Sequence, residues 1–327
     1  MILRFLKSNH PVHFILIPLV VSALWVRSFI SPRLFPFFPG ENKMPLYNLV
    51  DQLLSGLPLV QNVLAVVFVI LLSFMILHLN TVYDFIQIRT FLPSTIFVLI
   101  VSGLLDLHTL HPVYFGTVFF LLSIYRIFHA SENKNAGAIA FDAGFWLAVA
   151  SLFYLKLIFY FPVIWAGLIL LWRKKDWRDF VMSLTGMLLP WLFTFSWYFL
   201  TGTMEELREV VVQNVITPNR FFQDSLPFRI YLAFLTLVTL WCSLFLLGQY
   251  DAKKSSTRRY FKIFFLIFLI SLVLYFLVPA SSQEILAVMA VPLTFLISNY
   301  LITMKSSFWG NVFILIFLGL VLYMQSA

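Results

Sequence analysis

The sequence predicts an all-α integral membrane protein of about eleven transmembrane helices, with two amphipathic helices on its external side. The first observation behind this fold class is composition. Of the 327 residues, 61% are hydrophobic and only 11% are charged, whereas about a quarter of an ordinary soluble domain is charged. The second is that most apolar runs approach the roughly 20 residues that a bilayer-crossing helix needs. Transmembrane barrels use alternating segments of about ten residues. The composition therefore excludes a soluble enzyme, a nucleic-acid-binding protein and a disordered chain.

Apolar segments follow one another along the whole chain, so residues 1–327 are interpreted as one polytopic membrane domain. The fifth and sixth segments are short and are separated only around Lys156, so they could also form a single kinked re-entrant pair. The two long connections, at residues 31–60 and 201–227, are both assigned to the external side. The predicted spans are residues 13–30, 61–79, 91–106, 112–128, 140–155, 157–172, 179–200, 228–249, 261–278, 285–301 and 308–324.

The distribution of basic residues predicts the orientation. Most of the 22 Lys and Arg residues fall on the side of the N-terminus, in short loops such as residues 173–175, and cytoplasmic loops carry such an excess. Arg4 and Lys7 precede the first segment, and no small-residue cleavage site follows it, which indicates an uncleaved signal anchor with a cytoplasmic N-terminus. Anchoring in the lipid bilayer accounts for the net charge of +8 without a nucleic-acid partner.

Both long external loops contain a predicted helix. In the first loop, apolar residues recur at helical spacing between Leu46 and Leu54, which predicts an amphipathic helix lying in the outer interface. In the second, Thr203 precedes Glu205 and Glu206, an arrangement typical of a helix start. Two such helices on one side of a bundle could frame a cavity for a lipid-borne ligand.

Acidic residues of the first external loop are the first candidate site. A carboxylate of Glu41 or Asp51 could act as a general base that deprotonates an acceptor hydroxyl, or it could bind a divalent cation. The alternative is that these residues simply keep a water-exposed loop soluble, because Glu41 stands in an ordinary-looking turn.

A second candidate lies in the short external loop that contains Asp106, His108 and His111. A carboxylate and two imidazoles at this spacing could bind a metal ion or move a proton. Histidines are also common as interfacial polar groups at membrane boundaries, so a purely structural role stays open.

Arginines at the outer end of the eighth span are the third candidate. Arg220 and Arg229 flank the start of this span, and a guanidinium can hold a lipid phosphate or pyrophosphate through two hydrogen bonds. Simple flanking charge is the alternative interpretation.

One stretch of the chain resembles a known class of enzymes. Residues 141–154 contain Ala150-Ser151-Leu152 and are followed by the basic turn at 173–175 and by an aromatic stretch at 190–202. This pattern resembles the middle part of polytopic C-type glycosyltransferases, which take a sugar from a polyprenyl-phosphate carrier at the outer face of the membrane. Together with residues 292–301, it is also similar to an uncharacterised family of bacterial multi-pass inner-membrane proteins.

The resemblance implies a bacterial inner-membrane enzyme with a polyprenyl-phosphate sugar as donor, for which mannose is the first choice. It implies that Glu41 or Asp51 activates the acceptor, and that Asp106 and His108 replace a second acidic motif. The cofactor stays open, with a divalent cation as one option. By residue type, the substrate-binding groups would be Arg220, Arg229 and His111.

Departures from that enzyme class keep two other functions open. No adjacent acidic pair follows the first span, and no large external domain follows the last. The protein could instead be a non-enzymatic scaffold or a subunit of an envelope assembly complex. A lipid-carrier translocator is the third hypothesis, but it would need polar groups along the bundle interior, and the predicted spans contain few ionisable residues.

Overall fold

The computed structural model is all-α across the residues that it describes, as the sequence predicts. Two short 3-10 helices accompany fifteen α-helices in this part of the chain. The described residues are 2–86, 88–129, 136–172, 176–217, 225–251, 253–281, 283–304 and 306–326.

The helices follow the predicted segments closely. The 3-10 helices are Leu105–Leu107 and Leu155–Tyr160. The α-helices are α1 (Ile2–Lys7), α2 (His13–Leu24), α3 (Val26–Ile30), α4 (Pro45–Leu54), α5 (Pro58–Tyr83), α6 (Leu92–Ser102), α7 (Pro112–His129), α8 (Ala136–Phe153), α9 (Phe161–Leu171), α10 (Trp177–Leu200), α11 (Met204–Ile216), α12 (Leu226–Gly248), α13 (Ser255–Leu277), α14 (Glu284–Thr303) and α15 (Ser307–Ser326).

Eight helices within the described ranges are long and apolar enough to cross a membrane: α5, α7, α8, α10, α12, α13, α14 and α15. The other three predicted spans correspond to shorter apolar segments, His13–Leu24, Leu92–Ser102 and Leu155–Leu171. Multi-pass insertion is therefore supported, while the count of eleven crossings stays a prediction.

The predicted break around Lys156 is present as a change of helix type. Tyr154 leaves the α-helical conformation, with φ −137° and ψ 100°, and the chain turns through the 3-10 helix before α9 starts at Phe161. Lys156 follows this break and lies inside the bundle, since the residue is only 1% exposed.

Glycines allow α8 and α10 to pack in close contact. A Cβ atom on Gly144 would collide with the backbone carbonyl of Ser183, and one on Gly186 would collide with the carbonyl of Phe141. Small residues permit this approach between membrane helices, where van der Waals packing replaces the hydrophobic effect as the driving force.

The interior of the bundle contains α6 and most of α14, whereas α10, α12 and α15 have large exposed apolar faces. Such faces suit lipid contact, because the hydrocarbon core solvates apolar side chains. The exposed residues on α10 and α12 include Phe193, Trp197, Leu237, Trp241 and Leu244.

The helices predicted in the two long loops are present as α4 and α11. On α4, Leu46 and Val50 pack against the core, while Leu49 and Leu53 are 59% and 79% exposed. Exposed leucines beside a packed face suit a helix that contacts lipid, although its position in the outer interface stays a prediction.

Candidate functional site

Four separate segments bring ionisable side chains together at one end of the bundle. Glu41 comes from the loop between α3 and α4, and His111 immediately precedes α7. Lys156 comes from the 3-10 helix after α8, and Glu284 is the first residue of α14. Each of these four residues is at most 3% exposed. We call them the charge cluster.

Lys156 is at the centre of the charge cluster. Its Nζ donates a hydrogen bond to Glu284 Oε1 at 2.7 Å and lies 3.6 Å from Glu41 Oε1. The Tyr154 hydroxyl also donates to Glu284 Oε1, at 3.2 Å. One ammonium therefore links two carboxylates that are far apart in the sequence.

His111 faces Glu41 with a defined ring nitrogen. The Val113 N–H donates to His111 Nδ1 at 3.1 Å, so the proton of the neutral imidazole is on Nε2. His111 Nε2 lies 3.5 Å from Glu41 Oε1, a few tenths of an ångström longer than a good hydrogen bond. The ring of Phe35 packs edge-on against the imidazole, with centroids 4.7 Å apart. A small movement of the first loop would bring Nε2–H within hydrogen-bond distance of the Glu41 carboxylate.

The turn that carries Glu41 packs against α11 and is hydrogen-bonded to it. Gly40 has φ +87°, and a Cβ atom there would lie 2.9 Å from Gln213 Cβ. The Asn214 side chain donates from Nδ2 to the Gly40 carbonyl at 2.7 Å. The Phe38 N–H donates to Glu41 Oε2 at 3.4 Å. The two long loops therefore act together to position one carboxylate.

Burying the charge cluster has an unfavourable desolvation free energy. Moving an ion from water into a protein interior costs several kcal/mol even after relaxation. With both glutamates ionised and the imidazole neutral, two negative charges face the single positive charge of Lys156, and one added proton would balance them. Ionisable groups at membrane depth are rare and mark functional sites by default.

His108 lies in a different environment from His111. Its ring stacks on Trp25 with centroids 4.0 Å apart. Its Nε2 donates to the Ser102 carbonyl at 3.1 Å, and its Nδ1 accepts from the Ser28 hydroxyl at 3.1 Å. Burial lowers the pKa of His108 to about 4, so the ring is neutral near pH 7. These contacts give His108 a packing role.

The other predicted site residues that the structure describes are outside the charge cluster. Asp51 accepts a hydrogen bond from Asn42 Nδ2 at 2.9 Å on α4, and Asp106 is half-buried in the first 3-10 helix. Arg229 is exposed in the first turn of α12, and Arg220 is outside the described residues. Glu41 and His111 are thus the predicted site residues that the structure brings into contact.

Sequence reasoning did not assign a site role to Lys156, Glu284 or Tyr154. A signal was available, because Lys156 lies between two short apolar spans and Glu284 immediately precedes another, both on the side to which the two long loops are assigned. Opposite charges at the same end of a bundle are candidates for pairing.

No three His, Cys, Asp or Glu side chains come together as a metal ion would require in the part of the chain that the structure describes. Beside Glu41, the positive charge comes from Lys156.

Two apolar cavities lie elsewhere in the molecule. One, of about 730 Å³, lies against α5 and α7. The other, of about 380 Å³, lies between α12, α13 and α14. Neither is lined by a residue of the charge cluster.

Comparison with known proteins places the chain in a family. The model of DUF6427, a family of unknown function, matches residues 47–326, a range that includes His111, Lys156 and Glu284 and begins after Glu41. No curated protein and no solved structure gives a significant match. Because the family match covers most of the sequence, the protein belongs to the DUF6427 family of unknown function.

Proposed function

We propose that this protein is a membrane glycosyltransferase that moves a sugar from a polyprenyl-phosphate carrier to an acceptor hydroxyl at the outer face of the membrane. The observation that carries the proposal is the buried carboxylate of Glu41, held between His111 Nε2 at 3.5 Å and Lys156 Nζ at 3.6 Å. The resemblance of residues 141–202 to C-type glycosyltransferases supplies the reaction class.

Glu41 serves as the general base in this mechanism. Its carboxylate takes the proton of the acceptor hydroxyl while the hydroxyl oxygen forms a bond to the anomeric carbon of the sugar. The bond between that carbon and the phosphate oxygen breaks at the same time, and the polyprenyl phosphate leaves with its electron pair. Direct displacement inverts the configuration at the anomeric carbon.

Lys156 and His111 position the base. The ammonium of Lys156 lies 3.6 Å from Glu41 Oε1 and orients the carboxylate, and Glu284 in turn fixes the ammonium through a 2.7 Å hydrogen bond. Such preorganised charges act strongly where water is excluded. The Nε2–H of His111, 3.5 Å from Glu41 Oε1, is placed to donate a hydrogen bond that orients the carboxylate.

Access requires the first loop to move. Glu41 is 3% exposed and Phe35 is 5% exposed, so an acceptor reaches the carboxylate only when this loop opens. The donor phosphate is assigned to Arg229, which is exposed at the start of α12. Two residues further on, the Tyr231 hydroxyl donates to the Ile100 carbonyl at 2.7 Å, so the start of α12 lies near the end of α6, on the side of the charge cluster.

The test is sugar turnover by the full-length protein in lipid nanodiscs, with labelled polyprenyl-phosphate mannose or glucose and an alkyl glycoside as acceptor. We expect Glu41→Gln to lower turnover by roughly 100-fold or more, the usual contribution of a general base. Glu205→Gln is the matched control, because Glu205 is an exposed carboxylate on α11 that pairs only loosely with Arg208, at 3.3 Å. Thermal unfolding of each variant confirms that it folds.

Each other outcome points to a different function. Unchanged turnover in a folded Glu41→Gln variant would reject Glu41 as the base. Carrier binding without sugar transfer would favour a lipid-carrier translocator. Absence of both binding and turnover with either carrier would favour a scaffold or a subunit of an envelope assembly complex.

A further inference from the structure

The cavity between α12, α13 and α14 has the shape of a lipid-chain site. Its volume is about 380 Å³, and most of its lining is aliphatic or aromatic. Along α12 it extends from Thr239 to Leu247, which corresponds to about 12 Å at 1.5 Å per residue, and it continues to Tyr250 just after the helix. That length approaches half of the roughly 30 Å hydrocarbon core of a bilayer. The cavity therefore suits an acyl chain from one leaflet.

Basic residues surround one end of this cavity. Lys262 lines the cavity itself, and the preceding residues contribute Lys253, Lys254, Arg258 and Arg259. The acid of this stretch is Asp251, which lies 3.6 Å from Arg258 but is fully exposed, so their attraction is weak. A strong positive excess remains at the level where a phospholipid phosphate would lie.

Several of these cations are held in place by neighbouring helices. Lys253 Nζ donates to Asn299 Oδ1 of α14 at 2.7 Å, and Arg259 donates to the Leu170 carbonyl at 3.4 Å. The Arg258 guanidinium lies over the ring of Tyr250, 5.6 Å from its centroid. The basic cluster is therefore fixed beside the opening of the cavity instead of extending freely into solvent.

We propose that the cavity and the basic cluster form a binding site for an anionic glycerophospholipid. One acyl chain fills the cavity between α12, α13 and α14, and the phosphate is held by Lys262 and Arg258. Basic residues beside membrane helices attract anionic headgroups, and an apolar cavity supplies the chain contacts that a free phosphate could not use.

This site is separate from the charge cluster. Asn299, which contacts the basic cluster, and Glu284, which belongs to the charge cluster, are at opposite ends of α14. Fifteen residues of helix separate them by about 22 Å. The basic end is the one that the sequence predicts to be cytoplasmic, so the lipid comes from the inner leaflet. The proposal does not depend on glycosyl transfer.

The test measures lipid retention by the purified full-length protein with native mass spectrometry, using phosphatidylglycerol and phosphatidylcholine of identical chains. We expect the wild type to retain phosphatidylglycerol preferentially. The double variant Lys262→Gln/Arg258→Gln removes two headgroup contacts and should weaken phosphatidylglycerol retention by roughly 30-fold. Arg33→Gln removes an exposed cation in the first loop and is expected to change nothing.

A second variant tests the cavity. Ser243 lines it, so Ser243→Phe fills the space and should reduce retention of both lipids while leaving the basic residues intact. Equal retention of the two lipids by the wild type would overturn the proposal. So would unchanged phosphatidylglycerol retention in the double variant, or an Arg33→Gln effect as large as that of the double variant.

Discussion

Lys156 Nζ lies 2.7 Å from Glu284 Oε1, and both residues are 1% exposed. The two residues are 128 positions apart in the sequence, so the ion pair joins the break after α8 to the first residue of α14. Breaking a buried pair leaves an uncompensated charge, which costs more than the pair itself contributes. Lys156 Nζ also lies 3.6 Å from Glu41 Oε1. Loss of the ion pair would therefore both destabilise the bundle and disturb the position of Glu41.

Removing the ammonium should be strongly destabilising. Lys156→Met preserves most of the side-chain volume but leaves the carboxylates of Glu41 and Glu284 buried without their cation. We expect the free energy of unfolding in mixed detergent micelles to fall by about 3–5 kcal/mol. Lys43→Met changes an exposed cation of the first loop and should be nearly neutral.

A double-mutant cycle separates the ion pair from the loss of packing. Glu284→Gln removes the carboxylate charge, so in the Lys156→Met/Glu284→Gln variant the second substitution should cost less than it does alone. A coupling energy of about 1–3 kcal/mol is expected for groups in one network. Strictly additive effects would contradict the coupling.

Close packing of α8 on α10 gives a second prediction. In Gly144→Ala the added methyl group meets the backbone carbonyl of Ser183, which cannot rotate away, so the two helices must separate. We expect a loss of about 1–3 kcal/mol, typical of overpacking, in the same unfolding experiment. Gly319→Ala on α15 is the control, because no atom lies within 4 Å of its added Cβ. Similar losses in both variants would contradict the packing argument.

The membrane fold could be predicted because its causes are local. Apolar runs specify where helices form, and a charge within such a run specifies where one stops, as Lys156 does. The helices at Pro45–Leu54 and Met204–Ile216 were visible for the same reason. The segment at residues 91–106 was also predicted, but the short length of its helix, Leu92–Ser102, was not, because burial among neighbouring helices, rather than hydropathy, allows a short helix in the interior.

The candidate site was only partly predictable because contacts between helices are not local. Glu41 and His111 were identified by residue type, but their partners depend on which helix ends meet in the folded bundle. His108 and His111 looked equivalent in sequence. In the fold, His108 stacks on Trp25 while His111 reaches Glu41, because the chain turns between them into α7.

His108 predicts a loss of stability in acid. Burial lowers its pKa in the folded protein from 6.5 to about 4, so the unfolded chain binds a proton first as the pH falls. Stability should therefore be full above pH 6.5 and should decrease by about 3 kcal/mol between pH 6.5 and 4. The free energy of unfolding is measured across this pH range in an Asp106→Asn background. This substitution removes a nearby half-buried acid, so that its titration does not add to that of the imidazole.

The matched substitutions are His108→Gln and His10→Gln, since His10 is exposed. The first should flatten the pH dependence in that window, and the second should leave it unchanged. A slope that survives His108→Gln would assign the acid sensitivity to another group.

Gly40 links the second long loop to the candidate base, and a pair of glycines tests that link. Gly40 and Gly56 have almost the same backbone conformation, with φ +87° and +86°, but only Gly40 faces Gln213 and Asn214. Alanine in this left-handed region costs roughly 1–2 kcal/mol at either position. Gly40→Ala should cost a further ~1–3 kcal/mol from overpacking against α11. It should also lower sugar turnover, because the turn that presents Glu41 shifts, whereas Gly56→Ala should retain turnover. Equal losses of stability and unchanged turnover in both variants would show that α11 does not position Glu41.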